Sequence, residues 1–138
     1  MVNSDHVLEQ LNVMCKETLM EHLGIVYTEV GEDYLVAEMP VDQKTWQPMK
    51  ILHGGATMAL SESVGSALSV IHTNLSKNDV KGMEINANHL RSVKKGKVVA
   101  RAHFLHKGKN THIVQINVRN EMEKLVSVCR LTNMIIKK

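Results

Sequence analysis

The sequence is short of most things that build a specialised surface. Its 138 residues hold one Trp, two Tyr and one Phe, too few for the stacking platforms that grip single-stranded nucleic acid. Charge of one sign is scarce as well. Seventeen Lys and Arg face 14 Asp and Glu, a net charge of +3, so no polyanion-binding surface is expected and nucleic acid is excluded as a partner. Cysteine is limited to Cys15 and Cys129, which lie far apart and match no metal spacing. A small secreted scaffold normally carries more, so both read as free thiols of a reducing, cytoplasmic setting. No H-E-x-x-H, C-x-x-C or carboxylate cluster occurs, so no metal is expected. G-x-G-x-x-G, the P-loop and G-x-S-x-G are missing too, which excludes those modes of nucleotide binding and serine hydrolysis. The N-terminus shows no basic segment followed by an apolar run, so no signal peptide is expected. The least charged stretch, 51–76, contains His53, Thr57, Ser61, Glu62, Ser63, Ser66 and Ser69, whereas a membrane span wants about 20 predominantly apolar residues. It reads as a buried helix, and no membrane is expected.

What is present is an ordinary globular composition, 43% hydrophobic and 22% charged, over a length that suits one domain spanning residues 1–138. Val7, Leu8, Leu11 and Met14 recur at helical spacing behind Ser4. Thr18 and Glu21 form a T-x-x-E box for a second short helix that Gly24 can end. Ile25 to Val30 and Tyr34 to Met39 read as strands around Gly31-Glu32-Asp33, and Pro48 keeps the following loop out of helix. One long helix is expected from Gly54 or Gly55 to about Leu75. Its apolar stripe is Leu60, Val64, Ala67, Leu68, Ile71 and Leu75, with Gly55, Ala59, Glu62, Ser66 and Ser69 opposite. With a single ionised side chain, that helix needs cover nearly all round. Strands over Met83–Leu90, Lys97–His106, Thr111–Arg119 and Leu125–Ile136, joined by short turns, supply it. The expected class is α+β: an antiparallel sheet wrapped around one long central helix.

Three features on this framework can carry chemistry. Glu62 is a lone carboxylate on a helix without other charges, which costs several kcal/mol if buried without partners. It reads equally as a structural Glu or as a reactive one, and Ser66 shares its face one turn on. His53-Gly54-Gly55 at a helix start leaves backbone N–H groups free to meet negative charge, unless the glycines merely turn the chain. Gln47, stiffened by Pro48, can donate to a carbonyl or orient a water. Arg91, Lys94, Lys95, Lys97, Lys107 and Lys109 gather around two turns, as solvated hairpin tips or as a site for a phosphate-rich ligand.

The run Gln47-Pro48-Met49-Lys50-Ile51-Leu52-His53-Gly54-Gly55-Ala56, followed by Glu62, Ser63, Gly65 and Ser66, resembles the hot-dog-fold acyl-CoA thioesterases. It is most similar to the branch holding the Arthrobacter-type 4-hydroxybenzoyl-CoA thioesterase and 1,4-dihydroxy-2-naphthoyl-CoA thioesterase. The run Gly82-Met83-Glu84-Ile85-Asn86-Ala87-Asn88-His89-Leu90-Arg91-Ser92 points to the naphthoyl-CoA subgroup, which works in menaquinone biosynthesis. The resemblance implies a hot-dog fold and hydrolysis of an acyl-CoA thioester, with CoA as part of the substrate and no cofactor. It implies that Glu62 is nucleophile or general base and that the Gly54 N–H polarises the thioester carbonyl. Gln47 and His53 would assist, and Ser66 would position Glu62 or the water. Gly82, His89, Leu90, Arg91 and Ser92 would hold the CoA arm together with His106, Lys107, Gly108, Lys109, Asn110 and Thr111. It also implies a homo-oligomer, a dimer of dimers, with Glu62 and Ser66 facing Gln47, His53 and Gly54 of the partner. Two other functions share the fold: a non-catalytic acyl-CoA-binding module and a hydratase or dehydratase. The intact Glu62 and its spacing from His53 count against both.

Overall fold

The computed structural model describes residues 4–138. The chain opens with helix α1 (Ser4–Met14), which buries Leu11. The short α2 (Leu19–Leu23) follows, capped by Thr18, whose hydroxyl accepts the Met20 N–H at 3.3 Å. Glu21 completes the cap one residue further out than a T-x-x-E box would, accepting the Glu17 N–H at 2.7 Å. Gly24 ends the helix at φ 72°, where a side chain would be strained, and donates to the Glu21 and Met20 carbonyls.

Six strands then form one antiparallel sheet. β1 (Val26–Val30) and β2 (Tyr34–Pro40) precede the long helix α3 (Gly54–Ile71), and β3 (Asn78–His89), β4 (Lys97–Lys107), β5 (Thr111–Asn120) and β6 (Leu125–Lys137) follow it. Their order is β1-β2-β4-β5-β6-β3. β3 therefore crosses to the far edge, pairing with β6 on one side only. α3 lies along one face and touches β2, β3, β4, β5 and β6. The sheet thus curls around the helix as the hot-dog fold requires. Alternation along β5 buries His112, Val114, Ile116 and Val118 against this helix side. Leu60, Val64 and Leu68 of α3 are fully buried on them. Gly65 lets helix and sheet approach: a β-carbon there would lie 2.8 Å from Leu131 Cδ2. No described helix is long and apolar enough to cross a membrane.

The structure corrects four details of the sequence reading. α3 stops at Ile71, a turn before Leu75, which is exposed. His72 Nδ1 and the Thr73 hydroxyl meet the Leu68 and Ser69 carbonyls at 2.9 and 2.7 Å, serving the last turn from its own side chains. Ser69 belongs to the buried side, not the open one, because Asn133 Nδ2 donates to its Oγ at 2.9 Å. β3 begins at Asn78 rather than Met83, since its polar first residues need only backbone partners on β6. Finally, the sheet covers one side of α3 and leaves the other open. Gly55 and Glu62 are exposed and Ala59 and Ser66 half-buried, so Glu62 is not the buried carboxylate that its apolar helix suggested.

Candidate active site

The residues singled out from the sequence fall into two groups on the same helix. The first surrounds the start of α3. Residues 45–53 form a small ribbon: Gln47 N donates to the Ile51 carbonyl, His53 N to the Thr45 carbonyl, and Trp46 bridges Leu52. This ribbon is held by its own backbone, and it delivers the chain into α3 at His53. His53 Nδ1 accepts the Gly55 N–H at 2.7 Å and caps the helix. An accepting Nδ1 means that the neutral ring carries its proton on Nε2, so His53 presents a donor. Gln47 behaves alike: its Oε1 accepts the Met49 N–H, which leaves the amide NH2 as the free end. The Gly54 N–H, in the first turn, has no helix carbonyl to receive it. Local bonding thus turns three different groups into hydrogen-bond donors.

Around this end lies a pocket of about 290 Å³ lined by Leu52, Gly54, Thr57, His89, Arg91 and Ser92. His89 is pressed against Gly54, where a β-carbon would lie 2.9 Å from the imidazole Nε2. Its Nδ1 is 3.0 Å from Ser127 Oγ. Leu90 N and Arg91 N both donate to the Val126 carbonyl, and Arg91 Nη1 donates to the Leu125 carbonyl at 2.7 Å. The end of β3 and the start of α3 therefore share one wall.

The second group lies two turns along. Eight residues at 1.5 Å rise place Glu62 about 12 Å from Gly54 along the axis. Its carboxylate pairs with no described cation. It stands at a cleft of about 410 Å³ lined by Leu11, Met14, Cys15, Leu19, Met20, Tyr27, Ala59, Ser63, Ser66, Ala67 and Val70. The walls are almost wholly apolar, and apart from the Ser66 hydroxyl their polar groups are spoken for. Cys15 Sγ donates to the Leu11 carbonyl, Tyr27 Oη to the Ser63 carbonyl and Ser63 Oγ to the Ala59 carbonyl. Burial pushes both the Cys15 thiol and the Tyr27 phenol above their ordinary titration ranges, so both stay neutral. Gly82 of β3 closes the side of this group: a β-carbon there would lie 3.1 Å from Glu62 Oε1. A bulge between Gly82 and Glu84 bends the strand at this point.

Within one chain the two groups do not meet, and neither do the two segments that resemblance assigns to CoA. His89, Leu90, Arg91 and Ser92 lie beside the start of β6. The β4–β5 tip (His106, Lys107, Gly108, Lys109, Asn110, Thr111) lies at its other end, with Thr111 opposite Met134 and the Asn110 carbonyl accepting from Ile135 N. Seven β residues separate these ends, roughly 20 Å. At the tip, Lys107 pairs with Asp33 at 2.7 Å, whose carboxyl it holds below the usual range; Lys109 is exposed. Among the described residues, no three His, Cys, Asp or Glu side chains converge as metal ligands would.

Sequence reasoning missed the α1–α2 wall of the cleft: it placed Leu11 and Met14 on a helical stripe and Cys15 as a free thiol, and singled out neither Leu19 nor Met20. It also missed Asn133, fully buried between Leu131 and the end of β6. An Asn at an inward position of an alternating strand was the available signal.

Comparison with known proteins places this geometry. Residues 49–127 match the model of the Thioesterase superfamily. A thioesterase crystal structure from Haemophilus influenzae shares 45% identity, with 94% of this chain and 90% of that chain covered, at a TM-score of 0.91. A thioesterase from Pseudomonas aeruginosa, solved with a Gln replaced by Ala, shares 38% identity over 95% of this chain and 94% of that one, TM-score 0.93. A Staphylococcus aureus thioesterase shares 37% identity over 86% and 98% of the two chains, TM-score 0.83. That protein was crystallised with a Gln replaced by Ala and, separately, with a Glu replaced by Ala; the two positions are fifteen residues apart.

Proposed function

The chain belongs to the thioesterase superfamily, and from that premise we propose that it hydrolyses an acyl-CoA thioester to the free acid and CoA. Glu62 is the reactive carboxylate, as nucleophile or general base. The donors Gln47 Nε2, His53 Nε2 and Gly54 N–H receive the carbonyl oxygen as it gains charge. The observation that carries the reading is complementarity: one end of α3 offers three donors, and two turns on stands an unpaired carboxylate beside an apolar cleft. A thioester needs no more than these, because its carbonyl is already electrophilic and its thiolate leaves readily. The fifteen-residue separation of the Gln and Glu replaced in the Staphylococcus aureus protein equals that of Gln47 and Glu62, which supports their assignment to one site. Ser66, half-buried on the same wall, orients Glu62 or the water. The cleft is suited to an apolar acyl group, and the resemblance carried by the run from Glu84 to His89 supports an aryl one, of the hydroxybenzoyl or dihydroxynaphthoyl kind.

The site is completed by a second copy of the chain. β3 is twelve residues long, stands at the sheet edge and leaves its outer N–H and C=O groups unpaired. Antiparallel pairing of β3 with its own copy about a two-fold axis would set the Gly82 end of one strand beside the His89 end of the other. Glu62, next to Gly82, would then face the partner's donor group around Gly54. The same operation brings the basic tip from His106 to Thr111 toward the partner's Arg91 and Ser92, where Lys107 and Lys109 can meet the CoA phosphates. A dimer of such dimers is the expected assembly.

The test is a hydrolysis screen over aryl-, arylacetyl- and fatty-acyl-CoA esters with the unmodified protein and Glu62→Gln. Hydrolysis of aryl-CoA that falls by about 10²–10⁴-fold in the variant, with ester binding and melting temperature retained, is the expected result. A variant within tenfold of the unmodified protein removes Glu62 from the chemistry. Binding without turnover in the unmodified protein favours an acyl-CoA-binding module.

A further inference from the structure

Asn133 is 0% exposed on the helix side of β6. Its amide is not free to flip. Nδ2 donates to Ser69 Oγ at 2.9 Å and reaches toward the Gly65 carbonyl at 3.5 Å, both acceptors of α3. Oδ1 has no hydrogen-bond partner although it is buried. Such a group costs about 1–3 kcal/mol where it stays unsatisfied, so a buried orphan of fixed orientation calls for a donor that arrives in some state of the protein.

The place at which that donor would arrive is defined by Gly82, the direct cross-strand neighbour of Asn133. A β-carbon on Gly82 would lie 3.1 Å from Glu62 Oε1 and 3.7 Å from Asn133 Oδ1. The two oxygens flank the same point, which Gly82 leaves without a side chain. Both are acceptors while Glu62 is ionised, so no bond joins them in that state. Once Glu62 carries a proton, its carboxyl becomes a donor.

We infer that Asn133 is a positioning residue, whose Oδ1 accepts the hydrogen bond of the Glu62 carboxyl when that group holds the proton removed from water. The inference rests on the reading of Glu62 as the reactive carboxylate, in its general-base form. In that step a water O–H bond breaks, its proton goes to Glu62, and the water oxygen forms the new bond to the thioester carbon while the carbonyl oxygen takes the charge. Collapse breaks the C–S bond, and the proton on Glu62 passes to the departing thiolate. Asn133 holds the protonated carboxyl between these two transfers. Apart from the Ser66 hydroxyl one turn on, other groups around Glu62 do not compete for that bond. Leu11, Met14, Leu19 and Met20 of the first two helices are apolar, and the Cys15 thiol and Tyr27 hydroxyl are committed to backbone carbonyls. On β3, Lys81 and Glu84 flank the bulge; Glu84 is taken up by Asn86, which donates to it at 3.0 Å.

Three variants separate this role from a structural one. Asn133→Leu removes the acceptor, and Gly82→Ala inserts a methyl between the two oxygens while leaving Asn133 and its contacts to α3 in place. Ser69→Ala breaks the clamp on Nδ2 but keeps Oδ1. The first two should lower kcat on the order of tenfold, the worth of one such bond, with KM within about twofold. A hydrogen bond to the neutral carboxyl favours protonation, so its loss should move the acid limb of the kcat profile to lower pH. Ser69→Ala should lower the melting temperature and leave the limb in place. A profile of Gly82→Ala or Asn133→Leu that superposes on that of the unmodified protein overturns the inference, as does an equal shift in Ser69→Ala. Should Asn133→Leu fail to fold, Gly82→Ala decides alone, once its oligomeric state is shown to match that of the unmodified protein, because β3 is the strand proposed to pair between copies. Carbon-13 titration of the Glu62 carboxyl in the unmodified protein and Gly82→Ala needs no turnover. A lowered titration in Gly82→Ala upholds the link even if Glu62→Gln proves fully active, and equal titrations overturn it.

Discussion

The start and the middle of α3 are organised in opposite ways. At its start, the side chains of Gln47 and His53 are set by bonds to backbone N–H groups two residues on, and the ribbon that carries them is closed by its own amides and tied to the loop after β3 by Leu52 N and Trp46 Nε1. Two turns along, nothing local fixes Glu62. Its surroundings come from α1, α2, β1 and β3, and its carboxylate stands exposed without a cation. The donor half is fixed by its own bonding, whereas the carboxylate half is not. Preorganised donors cost nothing to reorient during reaction, which is where electrostatic catalysis gains most.

The largest perturbation of the donor half is Gly54→Ala. Its methyl would meet His89 Nε2 at 2.9 Å, forcing either the ring or the first turn of α3 to move. A shift of the N–H away from the developing oxyanion is expected to lower kcat by about 10²-fold, while Glu62 and its cleft are untouched. Steady-state kinetics beside near-unchanged circular dichroism check this. A variant as active as the unmodified protein would show that the first turn tolerates displacement, and that the donor half is less fixed than its bonding indicates.

A smaller effect separates the frame from both halves. His112 is 4% exposed, with Nδ1 unpartnered, and it packs edge-on against Phe104 beyond the end of α3. Burial, reinforced by the charges of His72, Lys107 and His106, pulls its titration below the ordinary 6.5. The unfolded chain therefore takes up this proton first. Stability is full above that ordinary value and falls as pH drops through it toward the folded one. The melting temperature should decline by a few degrees between about pH 7 and 5, and His112→Leu should flatten that decline. Activity per folded molecule should not follow it, because neither half of the site involves His112.

The same contrast governs what could be read before the structure. The α3 start, the capping residues and the strand order's antiparallel character were legible because they depend on short spacings: Gln47-Pro48, His53-Gly54-Gly55, Thr18 with Glu21. Leu60, Val64 and Leu68 were placed in the core correctly by helical periodicity. The lower boundary of β3 escaped because an edge strand with polar residues shows no apolar alternation. Ser69 was assigned to the open side because its burial is decided by Asn133, 64 residues away. The cleft beside Glu62 escaped for a related reason. Periodicity puts Leu11 and Met14 on one face, but that Leu11 is buried and Met14 stands exposed at the cleft rim is settled only by how α1 and α2 sit on α3. The proximity of Gly82 to Glu62 escaped too, because it depends on how the edge strand crosses α3.

The central claim is that each complete site draws its donors from one chain and its carboxylate from another. Glu62→Ala and Gln47→Ala proteins, each nearly inactive alone, provide the direct measurement. They are mixed in equal amounts under conditions where native mass spectrometry shows that subunits exchange. Random pairing makes half of the dimers mixed, and each mixed dimer restores one of its two sites, so activity should recover to about one quarter of that of the unmodified protein. Mixed dimers that stay as inactive as their parents, or an unmodified monomer that is fully active, would contradict the account.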